Sequence, residues 1–435
     1  MDIDIKAALS WSSAHRLTLD AFHSIVLSKP VTVVGNGAVT LTTNDGGSEG
    51  DFSFAGNGHL EFWDSSSSLI VNGNSYTLAG TLADLAADIG KNLNGFYALS
   101  NSYDAAQDGT YTNSPLGSFA GTFEGLGNTI ENFSLRLGLH SAEGGLFQCA
   151  CPGSALRDIV LKNANVRGAD NADVVGALAG VSYGIVKAAS VSGSVRGSRK
   201  AGVNDAVGGL LGLAHGLVTN SHSSAKVGDA ASAGGLVGFL VNAGVGVPTV
   251  VDSSASGQVS GHGAIGGLVG QLGLTAGIEV VRDSFATGAI GAATCDACGG
   301  LVGSNAGSIT DSYAFGPVTV ANCSACGGLV GTNSSKIATS YSTGAITASG
   351  GFTGGSIGKD TSLAGSLTNT YWDLDTSGER DPSKGAGNVS NDPGISGLSD
   401  AQLKVALPQG FDGKVWKQAA GENGGYPYLV ANAPD

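Results

Sequence analysis

The sequence predicts an all-β fold, a right-handed parallel β-helix (solenoid) with one or two short peripheral helices. Three observations lead there. A glycine-bounded block recurs through the middle of the chain, a second block keeps step with it, and the 3.6-residue apolar period of an amphipathic helix is absent from both.

The first block reads Gly144-Gly145-Leu146-Phe147, Gly176-Ala177-Leu178-Ala179-Gly180, Gly208-Gly209-Leu210-Leu211-Gly212 and Gly234-Gly235-Leu236-Val237-Gly238. It continues as Gly266-Gly267-Leu268-Val269-Gly270, Gly299-Gly300-Leu301-Val302-Gly303, Gly327-Gly328-Leu329-Val330-Gly331 and Gly354-Gly355-Ser356-Ile357-Gly358. Successive starts lie 32, 32, 26, 32, 33, 28 and 27 residues apart. The second block is clearest in Asp283-Ser284-Phe285-Ala286-Thr287-Gly288, Asp311-Ser312-Tyr313-Ala314-Phe315-Gly316 and Thr339-Ser340-Tyr341-Ser342-Thr343-Gly344. Looser copies start at Asn220 and Asp252.

Each unit offers three short apolar or alternating stretches, such as Gly-Leu-Val-Gly, Ser-Ile-Thr-Asp-Ser-Tyr and Val-Thr-Val, bounded by Gly, Asn or Ser. At about 3.3 Å per strand residue that is one circuit of three strands and three turns. A single unit cannot bury its apolar face, so stability must come from neighbours. A propeller blade of the usual kind needs about 40–50 residues, more than the repeat supplies.

Four segments divide the chain. Residues 1–80 carry short strands such as Arg16-Leu17-Thr18-Leu19-Asp20 and Val31-Thr32-Val33, read as N-terminal rungs. Residues 81–143 hold a helix, with Thr81 as N-cap and Leu82, Leu85, Ala86 and Ile89 on one face, followed by transition coils. Residues 144–360 are the repeat itself, and residues 361–435 form an aromatic-rich C-terminal cap. In that cap, 399–407 predicts a second helix ended by Pro408, and Trp372, Trp416, Tyr426 and Tyr428 suit a cap or lateral packing segment.

Composition excludes several functions. Glycine supplies 72 of 435 residues, and the net charge is −14 with no basic stripe, which disfavours nucleic-acid binding. No stretch approaches the roughly 20 apolar residues of a membrane-spanning helix, so no membrane insertion is expected. The opening Met1-Asp2-Ile3-Asp4 has no basic and apolar leader and reads as mid-protein sequence, a piece of a longer exported chain.

These blocks resemble the GLUG-repeat segments of large bacterial filamentous-haemagglutinin-like adhesins. Upstream stretches are similar to that group too: Ser68-Leu69-Ile70-Val71-Asn72-Gly73, Gly95-Phe96-Tyr97-Ala98-Leu99 and Phe119-Ala120-Gly121-Thr122-Phe123-Glu124-Gly125-Leu126-Gly127-Asn128. The resemblance covers roughly residues 12–430. It implies a secreted, surface-exposed bacterial passenger segment, exported by an outer-membrane two-partner transporter, that meets a host-cell, biofilm or glycan surface ligand. The N-terminal secretion domain of such proteins is not evident here. The expected role is a structural and adhesive shaft, not an enzyme. The alternatives are a β-helix lyase or hydrolase acting on carbohydrate, and a passive spacer for a separate effector.

Six cysteines form three close pairs, Cys149/Cys151, Cys295/Cys298 and Cys323/Cys326. The last two pairs are equivalent positions 28 residues apart, so stacked rungs place both partners inside disulfide range, within each C-x-x-C or between rungs. A secreted compartment favours disulfides. A four-thiolate zinc site and a redox motif are the other uses of such cysteines, though no helix N-terminus is expected there to activate a thiol.

Asn220, Asp252, Asp283, Asp311, Thr339 and Asn369 share one repeat position. Stacked carboxylates there could ligate calcium or act as an acid pair, but a slot that also takes Thr and Asn is better read as a turn cap bonding local backbone. No cofactor and no catalytic residue is therefore expected. Seven histidines, His140 among them, are scattered without an H-E-x-x-H spacing, and no P-loop or nucleophile elbow appears. Ligand contact is expected on exposed strand faces or on inserts at 242–250 and 272–279.

Overall fold

In the computed structural model, which describes all residues except 139–140, 170–173, 198–204, 245, 275–277 and 435, strands account for 48% of the chain and helices for 6%. The strands wind into a right-handed parallel β-solenoid of about 12 turns with two short helices. His140 and parts of both inserts lie outside the described residues.

One rung shows how the sequence makes a wall. Strand Ile290–Gly299 lies in an eight-stranded parallel sheet, and Val302–Asn305 lies in a nine-stranded one. The third wall is built from two short strands, Ser308–Thr310 and Tyr313–Ala314, with Asp311 turning between them at φ 45°. The next rung repeats this in strict register, Val302 on Val330 and Ile309 on Ile337. Period-2 alternation then sends Ile309, Ile337, Val302 and Val330 inward, all fully buried. Each such side chain contributes about 1.5–3 kcal/mol relative to an exposed one.

The first Gly of the Gly-Gly-Leu block ends the first-wall strand, and the second Gly and the Leu form a corner where the pattern predicts strand. The second-wall strand begins only at the following residue (Leu211, Val237, Val269, Val302 and Val330), while Leu210, Leu236, Leu268, Leu301 and Leu329 fill the corner's interior with no exposure. Backbone approach is the reason. A Cβ on Gly300 would stand 2.1 Å from the carbonyl oxygen of Gly328 in the next rung, and one on Gly267 would stand 2.0 Å from that of Gly300. At Gly267 and Gly300 a side chain has no room, although Ala177 fills the same corner position earlier in the stack.

The N-terminal rungs form their own short stack. Ile3–Ile5, Ile25–Leu27 and Phe52–Phe54 pair in parallel, as do Leu9–Trp11, Val31–Val33 and Leu60–Phe62, and Arg16–Asp20, Ala38–Thr42 and Ser68–Val71. Their core of Ile25, Leu27, Val31, Val33, Leu41, Phe62 and Leu69 is separate from that of the main stack. The stack does not run straight into the next coil. Ser68–Val71 pairs antiparallel with Asn74–Ala79 through a hairpin at Asn72 and Gly73, whose φ values are 48° and 79°. Asn-Gly is the pair that tolerates two positive φ angles in a two-residue turn.

Helix α1 (Leu82–Lys91) follows, capped by the Thr81 hydroxyl accepting from the Asp84 N–H at 3.1 Å, with Leu82, Leu85 and Ile89 buried on the solenoid. Helix α2 (Asp400–Val405) opens on a capping box between Ser399 and Gln402 and precedes the C-terminal tail. Both helices lie where the sequence predicts them.

Candidate functional site

The third wall carries most of the polar and aromatic chemistry. Asn220, Asp252, Asp283, Asp311, Thr339 and Asn369 stack along it, all left-handed at φ 44–50°. Asn and Asp adopt that region more readily than most residues, which accounts for five of the six positions, the β-branched Thr339 being the exception. The backbone capping predicted for them is done mainly by the next residue. Buried Ser253, Ser284, Ser312 and Ser340 each donate their hydroxyl to the carbonyl two residues back at 2.7 Å. Each hydroxyl also accepts the N–H of the serine one rung before, Ser221 to Ser253, Ser253 to Ser284, Ser284 to Ser312 and Ser312 to Ser340, at 3.1–3.3 Å. This closed serine ladder satisfies the bend. Burial raises the carboxyls of Asp252 and Asp283, and Arg282 partly offsets this at both.

Next along the same wall runs a column in register: Ser190, His222, Ser254, Phe285, Tyr313, Tyr341 and Tyr371. Phe285 stacks on Tyr313 at 4.8 Å between centroids and Tyr313 on Tyr341 at 5.3 Å. The C-terminal tail lies over these rings as a lateral strap, with Phe411, Trp416 and Leu429 buried against them. Trp416 donates its indole N–H to Asp311 at 2.9 Å, Tyr341 donates to the Pro427 carbonyl at 2.5 Å, and Asn432 donates to the Ser253 and Asp283 carbonyls. The buried Asp373 belongs to this packing. Asp373 accepts the N–H groups of Asp375 and Thr376 as a turn cap and takes a hydrogen bond from Tyr426.

Where the strap ends, the column lies open. Residues 431–434 close one end of a groove of about 790 Å³ whose floor carries Ser190, Ser192, His222, Ser224, Ser254 and Ser256. Lys162 and Thr287 stand on its rim, and the His222 ring is 2.9 Å from the Ser254 hydroxyl. Hydroxyls at the strand spacing and one imidazole, with the Lys162 ammonium already 2.8 Å from Glu131, make a surface suited to a hydroxyl-rich chain. The composition gave no sign of it, because serine on an outward strand position is ordinary; only the register brings these residues together.

A second cluster, unmarked by any motif, locks the N-terminal stack to the main one. Glu124, Arg157 and Lys187 are successive residues of one third-wall column. Asp51 reaches over from the N-terminal stack to bind Arg157 at 2.5 Å and Lys187. Arg157 also stands 3.2 Å from Glu124 through its Nε. Opposite charges hold the Asp51 carboxyl low against its burial. Glu124 and Asp158 behave in the opposite way: burial, then the neighbouring negative charge, pushes Glu124 well up, and burial first of all takes Asp158 to about 7. No donor reaches Glu124 Oε2, so a proton held between the two carboxyls reconciles them. At 3% and 7% exposure these acids have no route to a substrate.

The cysteines occupy the first wall. Cys295 aligns with Cys323 and Cys298 with Cys326, as the 28-residue spacing requires. The sulfurs are in bonding contact within each C-x-x-C, with Cα separations of 6.4 and 6.3 Å. Cys149 and Cys151 remain thiols, their sulfurs 2.8 Å apart. Burial pushes the Cys149 thiol up to about 12.

No protein-family model, curated protein or solved structure matches the chain. Among the described residues, no helix is long and apolar enough to cross a membrane.

Proposed function

We propose that this chain is a structural and adhesive shaft of a secreted or surface-exposed bacterial protein, and that the serine- and histidine-lined groove is where it meets a glycan on a host cell or in a biofilm. The observation that carries the reading is the groove's place in the fold. It is the uncovered continuation of a column that the chain's own tail covers elsewhere, on a rigid stack of in-register rungs. A stack of this kind transmits position along its length, and an acidic surface of net charge −14 keeps it soluble and off phosphate backbones. Export by an outer-membrane two-partner transporter belongs to the same reading. A carbohydrate lyase or hydrolase has less support, because the clustered carboxyls beside Arg157 are buried in a junction between stacks.

The test is binding of the purified chain to an array of neutral and acidic glycans and to intact cells. Arginines introduced at the exposed Ser224 and Ser256 fill the groove without touching the core. Binding that falls by about tenfold or more, a loss of about 1.4 kcal/mol, supports the placement. Binding that survives these variants but is lost on deleting 242–250 or 272–279 moves the contact to the inserts. No binding in any arm leaves a passive spacer and removes the adhesive part of the proposal.

A further inference from the structure

The four cysteines of the first wall do more than stack. We infer that Cys295, Cys298, Cys323 and Cys326, in the thiol state, form a tetrahedral four-thiolate site for a thiophilic divalent cation of the zinc class, clamping two adjacent rungs together.

The carrying observation is convergence. All four sulfurs lie within 4.8 Å of one another, and all four residues are buried, at 4%, 0%, 4% and 0% exposure. Register alone does not produce this. Equivalent atoms on neighbouring rungs stand about 4.8 Å apart, yet the Cys295 and Cys323 sulfurs approach to 2.9 Å across the rungs. The side chains therefore lean toward a common point from two strands. A bond within each rung gives the rungs no reason to draw their sulfurs together; a shared ligand does.

Sulfurs about 2.3 Å from a tetrahedral cation are about 3.8 Å from one another. The four sulfurs, all within 4.8 Å of one another, reach that spacing by opening from bonding contact within each pair and from 2.9 Å between Cys295 and Cys323. Two C-x-x-C pairs supply four ligands at the spacing structural zinc sites use. A wholly sulfur donor set selects a soft cation over calcium or magnesium. The surroundings close the site. Ile265 precedes Cys298 in its column and Thr353 follows Cys326, while Gly350 follows Cys323. No carboxylate or imidazole belongs to the group, so every ligand is a thiolate. Binding releases one proton from each thiol, four per cation, and the cation's two positive charges offset four thiolates that could not otherwise ionise in this apolar setting.

The experiment uses the full chain, reduced with a phosphine under nitrogen and titrated with Co²⁺ as a spectroscopic stand-in, then with Zn²⁺. The expected result is one Co²⁺ per chain, with thiolate-to-cobalt charge-transfer bands and the d–d bands of a tetrahedral site, displaced by Zn²⁺. Zinc should then protect four thiols from alkylation. A reduced chain that keeps its β-sheet circular dichroism but binds no cation overturns the inference. So does loss of that spectrum on reduction in the presence of Zn²⁺, which would make disulfides the structural requirement. The variant Cys149→Ser/Cys151→Ser must retain the full stoichiometry, since its failure would place the metal at the other pair. Cys298→Ser/Cys326→Ser must lose the charge-transfer bands.

Discussion

Asp158 sits at φ 53°, nearly buried, with its carboxyl against that of Glu124, and this gives the junction between the two stacks a definite response to pH. Burial raises its pKa from the ordinary 3.8 to about 7, making it a weaker acid. An acid so raised stays protonated in the folded chain while the unfolded chain has already ionised. Its contribution is therefore fully present below about pH 4 and is lost as pH climbs toward 7. Asp51 works the other way, since its lowered carboxyl stabilises above the ordinary range and that share is lost only in stronger acid. Urea unfolding of the N-terminal stack should thus become easier between pH 4 and 7, by on the order of a few kcal/mol. Asp158→Asn, which keeps a residue at ease with positive φ, should flatten that slope. An unchanged slope would mean that the pair does not share a proton. None of this was legible in the sequence, because Asp51, Glu124, Arg157 and Lys187 are distant in the chain and belong to no motif. The left-handed slot from Asn220 to Asn369 was legible in its Asp and Asn residues, which tolerate positive φ, whereas the β-branched Thr339 at φ 44° gave no such signal. The serine ladder beside it was not, since hydroxyls that bond one rung ahead look in sequence like any surface serine.

At the scale of elements, the strap is held by a few large rings. Trp416 is fully buried, lies 4.5 Å from the Phe411 ring and about 6 Å from both Tyr313 and Tyr341, and donates to Asp311. Trp416→Ala should cost about 3–5 kcal/mol, and the cost should fall on the strap, because each rung still has its neighbours. Hydrogen exchange should show 411–434 opening while the strands of 290–342 stay protected. Equal loss of protection in both would mean that the strap is part of the solenoid's cooperative core. The aromatic richness of this tail announced a packing segment, and both helices were readable from their caps and apolar faces. Two features of the elements escaped the pattern. The block reads as strand throughout because it is apolar and periodic, yet the approach of Gly300 to the Gly328 carbonyl turns its second Gly and Leu into a corner. The antiparallel step at Asn72-Gly73 hides because its flanking strands look like any other rung.

Across the whole molecule, the rungs stack in register along one axis. The repeat made that legible: two linked blocks returning every 26–33 residues leave few folds able to bury their apolar faces. The groove is a property of this scale, since it exists only where the column of Ser190, His222 and Ser254 emerges from beneath the strap. The stacking itself is open to direct measurement. Thr219, Val251, Arg282, Thr310, Ala338 and Thr368 occupy successive positions of one third-wall column. Spin labels placed through non-natural side chains, so that the cysteines stay untouched, would report distances between Thr219 and each later member of that column. The separation should grow by about 4.8 Å per rung, reaching about 24 Å at Thr368. Distances that rise unevenly, or that do not rise with rung number, would show that the units are not stacked and would contradict the account at its base.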